Sequence, residues 1–234
     1  MQLRSLHLDA GRAWRGGQRQ VLLLTHALRE RAHEPLVVGV ANTPLVERAH
    51  AAGLATAAVA MRSDWDLRSA KRVRALIRTW RPDLVHAHDA RAHAIALLAL
   101  AGNPTPLVVT RRVTFLPKSV RLKYGPRVDR FIAISQAVKQ VMVRAGIDAS
   151  RIDVIYSGVP TPVVTSPRDW RREMGWSSDV VVVGIVGAMT AEKGVEAVHR
   201  IAAALPAEVA QRTRIVFLGG QATGKTHLGR VEAV

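Results

Sequence analysis

Two stretches decide the fold: Trp14-Arg15-Gly16-Gly17-Gln18, and, far downstream, Val180-Val-Val-Val-Gly184-Ile-Val-Gly187-Ala-Met-Thr-Ala-Glu-Lys193-Gly194. Each places a glycine turn between β-forming residues and a helical pattern. At such a junction the first amides of the helix have no intrahelical partner, and the helix dipole is positive there. The junction is therefore suited to hold a phosphate. One junction near each end predicts two Rossmann-like α/β domains that grip a phosphorylated donor in the cleft between them.

Working outward, strands and helices alternate. Leu3 to Leu8 reads as a first strand. Gln18 to Arg31 reads as an amphipathic helix with Val21, Leu24, Ala27 and Leu28 on its inner face. Pro35 to Val40, Ala55 to Met61, Leu84 to His88, Pro106 to Thr110, Arg130 to Ser135 and Ile152 to Tyr156 read as further strands. Helices are predicted at Pro44 to Ala52, at Arg91 to Ala101 and at Ala137 to Ala145, with a short one around Arg121 to Tyr124. Another spans Asp66 to Trp80, with Leu67, Val73, Leu76, Ile77 and Trp80 inward. Strand-helix alternation with short loops predicts an α/β fold with a parallel, doubly wound sheet. The proline-rich run Pro160 to Pro167 reads as a linker. The expected domains are 1–160, a linker over 161–176, and 177–234. Too few strands fit into the last segment for a doubly wound sheet, so truncation at the C-terminus is expected.

The chain has no cysteine, which excludes disulfides, thiolate nucleophiles and cysteine metal sites. Its start lacks the apolar core of a signal peptide. Its longest apolar runs, Ala94 to Ala101 and Val180 to Val186, fall short of the about 20 residues that span a bilayer. The expected location is the cytoplasm, peripheral on the inner face of the cytoplasmic membrane. The net charge of +16 points either to arginine-rich solvated faces or to an anionic partner. Basic residues are densest from Arg111 to Arg130, where only Asp129 opposes them. Each near-surface charge adds about 1 kcal/mol of attraction to an anionic bilayer.

The order of motifs resembles the GT-B glycosyltransferases, specifically the retaining family 4 that uses nucleotide-sugar donors. Gly16-Gly17-Gln18 resembles its N-terminal glycine loop. Arg81-Pro-Asp-Leu-Val-His86-Ala-His88-Asp89 resembles its "PDVVHAH" strand end. Arg130-Phe-Ile-Ala-Ile-Ser135 and Arg151-Ile-Asp-Val-Ile-Tyr-Ser-Gly158-Val159-Pro160 resemble its next strand and its exit into the linker. Gly187 to Gly194 resembles "G-R-L-x-x-E-K-G". The resemblance implies transfer of a sugar from a nucleotide-diphospho-sugar to a hydroxyl of a lipid-linked or cell-surface glycan, as in lipopolysaccharide or polysaccharide synthesis. It also implies retention of configuration and no obligatory metal or other cofactor. Two departures stand out. Ala188 replaces the family's diphosphate-binding arginine, and the family's glutamate pair belongs to a part of the second domain that this sequence does not contain. Slow turnover of the chain as given is the expectation.

The resemblance assigns the donor phosphate to Gly16, Gly17 and Lys193, and assigns His88 to the reacting sugar or the acceptor. Arg111 and Arg112 follow a strand end and could grip a phosphorylated acceptor, or be solvated charge. Ser135 is explained by a helix N-cap, with a lesser place in the cleft wall. Asp89 reads first as an N-cap. His86 and His88 share a strand face, but no third ligand is spaced for a metal, so none is expected.

Two rival classes remain. One is a non-catalytic basic module for nucleic acid or an anionic membrane. Nucleic acid is disfavoured because aromatics make up only 4% of the chain and are not interleaved with the basic run. The other is a P-loop NTPase, because Gly219-Gly-Gln-Ala-Thr-Gly224-Lys225-Thr226 matches GxxxxGK[ST] after a strand.

Overall fold

The structure is a computed structural model that describes residues 2–117, 119–161, 169–187, 194–220 and 226–232. The chain forms two compact units, Met1–Val159 and Pro160–Val234.

The first unit holds strands β1 (Arg4–Leu8), β2 (Glu34–Gly39), β3 (Ala55–Ala58), β4 (Leu84–Ala87), β5 (Leu107–Arg111), β6 (Arg130–Ala133) and β7 (Ile152–Val154). Its helices are α1 (Gly16–Glu30), α2 (Pro44–Ala51), α3 (Leu67–Trp80), α4 (Ala90–Ala99), α5 (Val120–Lys123) and α6 (Gln136–Arg144), with a 3-10 turn at Ala149–Arg151. The strands pair in parallel in the order β3-β2-β1-β4-β5-β6-β7. The order reverses between β1 and β4, which opens a crevice at their carboxyl ends.

Side chains alternate across the sheet. Leu36 and Val38 of β2 join the large core with Leu6, Leu8, Val73, Ile77, Ile95, Leu107 and Phe131. Val37 turns to the opposite face and packs with Val21 of α1 and Leu45 and Ala49 of α2. Covering both faces explains the continuous apolar runs of β2 and β5.

Helix starts follow local chemistry. Asp66 accepts from the Ser69 amide at α3, Asp89 from the Arg91 and Ala92 amides at α4, and Ser135 from the Val138 amide at α6. Arg81 ends α3 in the left-handed conformation, with φ of 49°. Two predicted inner faces are corrected. In α1 the buried residues are Gln18, Val21 and Thr25, while Leu24 lies exposed. In α3 they are Ser69, Ala70, Val73 and Ile77, and Leu67 is exposed, because Ser69 turns inward to bond the amide of Met61 and the Asp66 carboxylate.

The second unit holds α7 (Trp170–Met174), β8 (Val181–Val186), α8 (Val195–Ala203), α9 (Ala207–Arg212), β9 (Thr213–Gly220) and β10 (Thr226–Glu232). Helix α7 falls in the stretch read as a linker. β8 and β9 are parallel, as the α/β pattern requires, with Ala202, Ile215 and Phe217 between sheet and helix. β10 then runs back antiparallel to β9. A P-loop needs a helix to open at its lysine, where the amides cradle phosphate. Thr226 instead opens a strand, which corrects the P-loop reading. Residues 221–225 of that motif lie outside the described residues.

Candidate active site

A cavity of about 200 Å³ sits at the carboxyl ends of β1, β4 and β5. Its lining includes Asp9, Gly17, Gln18, His88, Arg111 and Arg112. This is the crevice beside the strand-order reversal, where open α/β sheets bind ligands.

Asp9 follows β1 and is 1% exposed. Its Oδ1 accepts hydrogen bonds from the Gly11 amide at 2.8 Å and from Gln18 Nε2 at 2.9 Å. Gln18 also accepts from the Arg15 amide through Oε1, at 3.3 Å. It therefore closes the start of α1 and braces the cavity floor together. A Cβ on Gly11 would stand 2.2 Å from Gln18 Nε2, so only glycine permits this bridge. Burial, and then the neighbouring Asp89 carboxylate, push the Asp9 carboxyl up; Gln18, Gly11 and Arg112 oppose the rise. Asp89 has its own duties. Its Oδ1 takes the Arg91 and Ala92 amides and its Oδ2 takes the Ala10 amide at 2.5 Å, which ties the end of β1 to α4.

Gly16 and Gly17 are the first residues of α1. Neither has a positive φ, and an added Cβ would meet nothing within 4 Å at Gly16 and only Arg112, at 3.6 Å, at Gly17. Neither the backbone nor the packing requires glycine there. What the two glycines provide is open access to the amides of a helix start. Gly16→Ala should leave stability unchanged or raise it by about 0.5 kcal/mol, because alanine loses less entropy in a helix. It should weaken donor binding if phosphate approaches there. Parallel melting and donor titrations check this; loss of stability together with unchanged binding would make Gly16 structural.

Arg111 and Arg112 have different surroundings. Arg111 is buried: Nη1 donates to Tyr124 Oη at 2.8 Å and Nη2 to the Phe115 carbonyl oxygen. Among the described residues Nε of each arginine lacks a hydrogen-bond partner, and for Arg112 burial lowers the pKa while the Asp9 carboxylate opposes that. Other basic residues of the run are engaged by the fold. Arg127 donates to the carbonyls of Asn103 and Thr105, Arg130 to that of Ser150, and Lys123 pairs with Asp64 at 2.5 Å. Part of the basic run thus ties loops together rather than forming a free patch.

His88 follows β4 and is 2% exposed. Parallel pairing aligns His7 of β1 with His86 of β4. His7, His86 and His88 therefore share one face, with ligand-capable nitrogens within 4.8 Å of one another. Contrary to the expectation from spacing, a third imidazole does accompany His86 and His88: strand pairing brings His7 there across 79 residues. Asp9, His93 and Tyr124 of the cavity also escaped the sequence reading; the rings of the last two meet edge-on at 5.3 Å. The one available signal was polarity inside apolar segments, as in Leu6-His7-Leu8-Asp9.

Of the predicted site residues, the fold brings Gly17, His88, Arg111 and Arg112 together. Gly16 is adjacent but outside the lining, and Ser135 serves as the cap of α6. Lys193 and Ala188 lie outside the described residues.

A sequence profile for Glycosyltransferase Family 4 matches residues 14–162, and the chain belongs to that family. Its α/β architecture is of the GT-B type. HepE from Anabaena, solved with UDP and glucose, is similar at a TM-score of 0.75 and 20% identity, over 94% of this chain and 61% of that one. A glycosyltransferase from Rickettsia africae is similar at 0.74 and 18% identity, over 94% of this chain and 68% of that one. The lipopolysaccharide outer core galactosyltransferase WaaB, in its apo form, gives 0.62 and 15%, over 93% of this chain and 60% of that one. The chain spans about 61% of the length of HepE. No curated protein sequence matches it.

Proposed function

We propose that the protein transfers a sugar from a nucleotide-diphospho-sugar to a hydroxyl of a lipid-linked or cell-surface glycan, in lipopolysaccharide or polysaccharide synthesis. The observation that carries this reading is the cavity at the strand-order reversal, whose lining residues other than Asp9 fall in the segment that matches Glycosyltransferase Family 4. HepE has been solved with UDP-glucose, and WaaB is a lipopolysaccharide galactosyltransferase.

The chemistry follows from charge. The bond from the sugar to the nucleoside diphosphate breaks, and negative charge grows on the leaving phosphate. Amides at Gly16 and Gly17 and the Lys193 ammonium would receive that charge without a metal ion. His88 would bond a hydroxyl of the transferred sugar or of the acceptor. Arg112, which lines the cavity, would favour an anionic group on the acceptor. In this scheme 1–160 is the acceptor-side domain, and 177–234 begins the donor-side domain.

A thermal-shift panel tests the class. UDP-, GDP- or ADP-sugars should raise the melting temperature without added metal, whereas ATP with Mg²⁺ should not. Stabilisation by ATP-Mg²⁺ alone would overturn the reading in favour of the NTPase, and no nucleotide response would favour the binding module.

A cytoplasmic location against an anionic membrane also belongs to this proposal. Its support is the exposed set Phe115, Leu116 and Leu122, each at least 60% exposed, with Arg121 beside them. Apolar tips with basic neighbours suit a bilayer interface. Co-sedimentation with anionic vesicles should fall with salt and drop several-fold in Phe115→Ser. Equal binding to neutral vesicles would contradict it.

A further inference from the structure

Strand register alone assembles the three imidazoles. His7 of β1 is paired with Val37 of β2 on one side and with His86 of β4 on the other. Val37 packs against Val21 of α1, so His7 and His86 lie on the sheet face that α1 covers. His88, two residues beyond His86, shares that face. All three are buried, none more than 5% exposed, and their ligand-capable nitrogens lie within 4.8 Å of one another.

Their ties are to hydroxyls and to each other. His7 Nδ1 stands 3.1 Å from His88 Nε2. The other nitrogen of His7, Nε2, stands 2.9 Å from Ser5 Oγ, and His86 Nε2 stands 2.7 Å from Thr110 Oγ1. Among the described residues no carboxylate bonds any of these rings. Nothing therefore favours an imidazolium here, and burial lowers the pKa of each ring. Neutral imidazole is the form that ligates metals.

We propose that His7, His86 and His88 bind one divalent transition-metal ion such as Zn²⁺, through His7 Nδ1, His88 Nε2 and a ring nitrogen of His86, and that the bound ion takes His88 out of sugar transfer. On a tetrahedral ion with bonds of about 2.0–2.1 Å, neighbouring nitrogens stand about 3.4 Å apart. His7 Nδ1 and His88 Nε2 are already close to that separation, at 3.1 Å. Their rings turn so that the lone pairs meet at the ion rather than at each other. The nitrogen of His86 closes in from at most 4.8 Å, by a turn of its side chain out of the stack on His88, where the ring centroids are 3.9 Å apart. Ser5 Oγ is placed to hold the far N–H of a ligating His7, the usual support for such a ligand.

The ligand set selects the ion. Three imidazoles without a carboxylate suit Zn²⁺, Co²⁺, Ni²⁺ or Cu²⁺, and not Mg²⁺ or Ca²⁺, which take oxygen ligands. The cavity that His88 lines adjoins the site and supplies a water for the fourth position. Of the charged side chains lining it, Asp9 and Asp89 favour a cation while Arg111 and Arg112 oppose it, so the imidazoles decide. Ligation through Nε2 places the His88 proton on Nδ1, which has no partner among the described residues. That unpaired N–H lowers the affinity and leaves the ligand set unchanged. The donor phosphates keep their metal-free site at α1. Slowed transfer rests on the glycosyltransferase reading; metal binding does not.

Titration of the chelator-treated chain with Co²⁺, read by visible absorption, and with Zn²⁺, read by calorimetry, tests the site. The expected result is one ion per chain, the intense spectrum of four-coordinate cobalt, its displacement by Zn²⁺ and no competition from Mg²⁺. His7→Gln should weaken binding by at least about tenfold, the scale on which even a supporting residue acts. His50→Gln, at an exposed histidine, should leave it unchanged. If His7→Gln fails to fold, histidine 15N NMR of the parent chain decides: Zn²⁺ should shift the rings of His7, His86 and His88 and leave the exposed His50 and His199 in place. Binding undiminished in a folded His7→Gln, zinc shifts confined to exposed histidines, or no stoichiometric cobalt would overturn the site. In a transfer assay, one equivalent of Zn²⁺ should slow the reaction several-fold and a chelator should restore it. Transfer at full rate by the zinc-loaded chain would overturn the role given to the ion. Intact zinc binding in a chain that transfers no sugar would stand for the site and against the glycosyltransferase reading.

Discussion

Lowering the pH from 7.5 to 5 should cost the first unit several kcal/mol of stability, well before its exposed carboxylates titrate. His7, His86, His88 and His93 are each at most 5% exposed, and burial is the largest cause of their lowered pKa values. His7 and His93 fall to about 4 from 6.5. Between those values the unfolded chain binds more protons than the folded one, so stability decreases as the pH falls through this window. A shift of that size is worth on the order of 3 kcal/mol per histidine. Two such groups approach the total stability of an ordinary domain, about 5–15 kcal/mol. Asp9 acts in the opposite sense, because its raised pKa makes the folded state the better proton acceptor, but it is one group against four. Asp66, lowered to about 2, contributes stability that is lost only below its unfolded value of 3.8. The windows are therefore separable. Urea unfolding followed by circular dichroism at pH 7.5, 6 and 5 should show a falling midpoint. A midpoint constant from pH 7.5 to 5 would mean that these histidines are not buried neutral.

Phe131→Ala should destabilise the first unit by about 3–5 kcal/mol, the usual cost of emptying a buried phenylalanine site. Phe131 is fully buried on β6, stacked on Tyr124 at 5.5 Å and crossed by the Arg151 guanidinium at 5.5 Å. Tyr124 in turn holds Arg111 at the cavity. The loss should therefore reach the site, and donor or acceptor affinity should fall even where the variant stays folded. Tyr124→Phe separates the two effects. It keeps the stack, removes the hydroxyl from Arg111, and should cost stability much less than Phe131→Ala. A loss below about 1 kcal/mol in Phe131→Ala would contradict the packing described here.

The order of strands and helices was legible because hydrophobic period and turn residues are local properties. The N-caps at Asp89 and Ser135 were legible for the same reason. The inner faces of α1 and α3 were read less well. Leu24 and Leu67 follow helical spacing, yet Thr25 and Ser69 are buried because each bonds a nearby group. His7 could not be read as a partner of His86 and His88, since only the strand order sets it beside them. Gly219 to Thr226 shows the converse: its residues match a phosphate loop, but the strand that follows comes from pairing with β9, which the pattern does not encode. The charge of the Arg111 to Arg130 run was plain, while its use on carbonyls of neighbouring loops depends on tertiary contacts.

The most direct test of the account is amide hydrogen exchange of the 234-residue chain with and without UDP-glucose, in the absence of divalent metal. The account predicts slowed exchange at the opening of α1, from Arg15 to Gln18, with a smaller change at the carboxyl end of β4 around His88. GDP- and ADP-glucose, run in parallel, identify the base that the protein prefers. Unchanged exchange at Arg15 to Gln18 with all three donors, or protection confined to Gly219 to Thr226 and seen only with ATP and Mg²⁺, would contradict it.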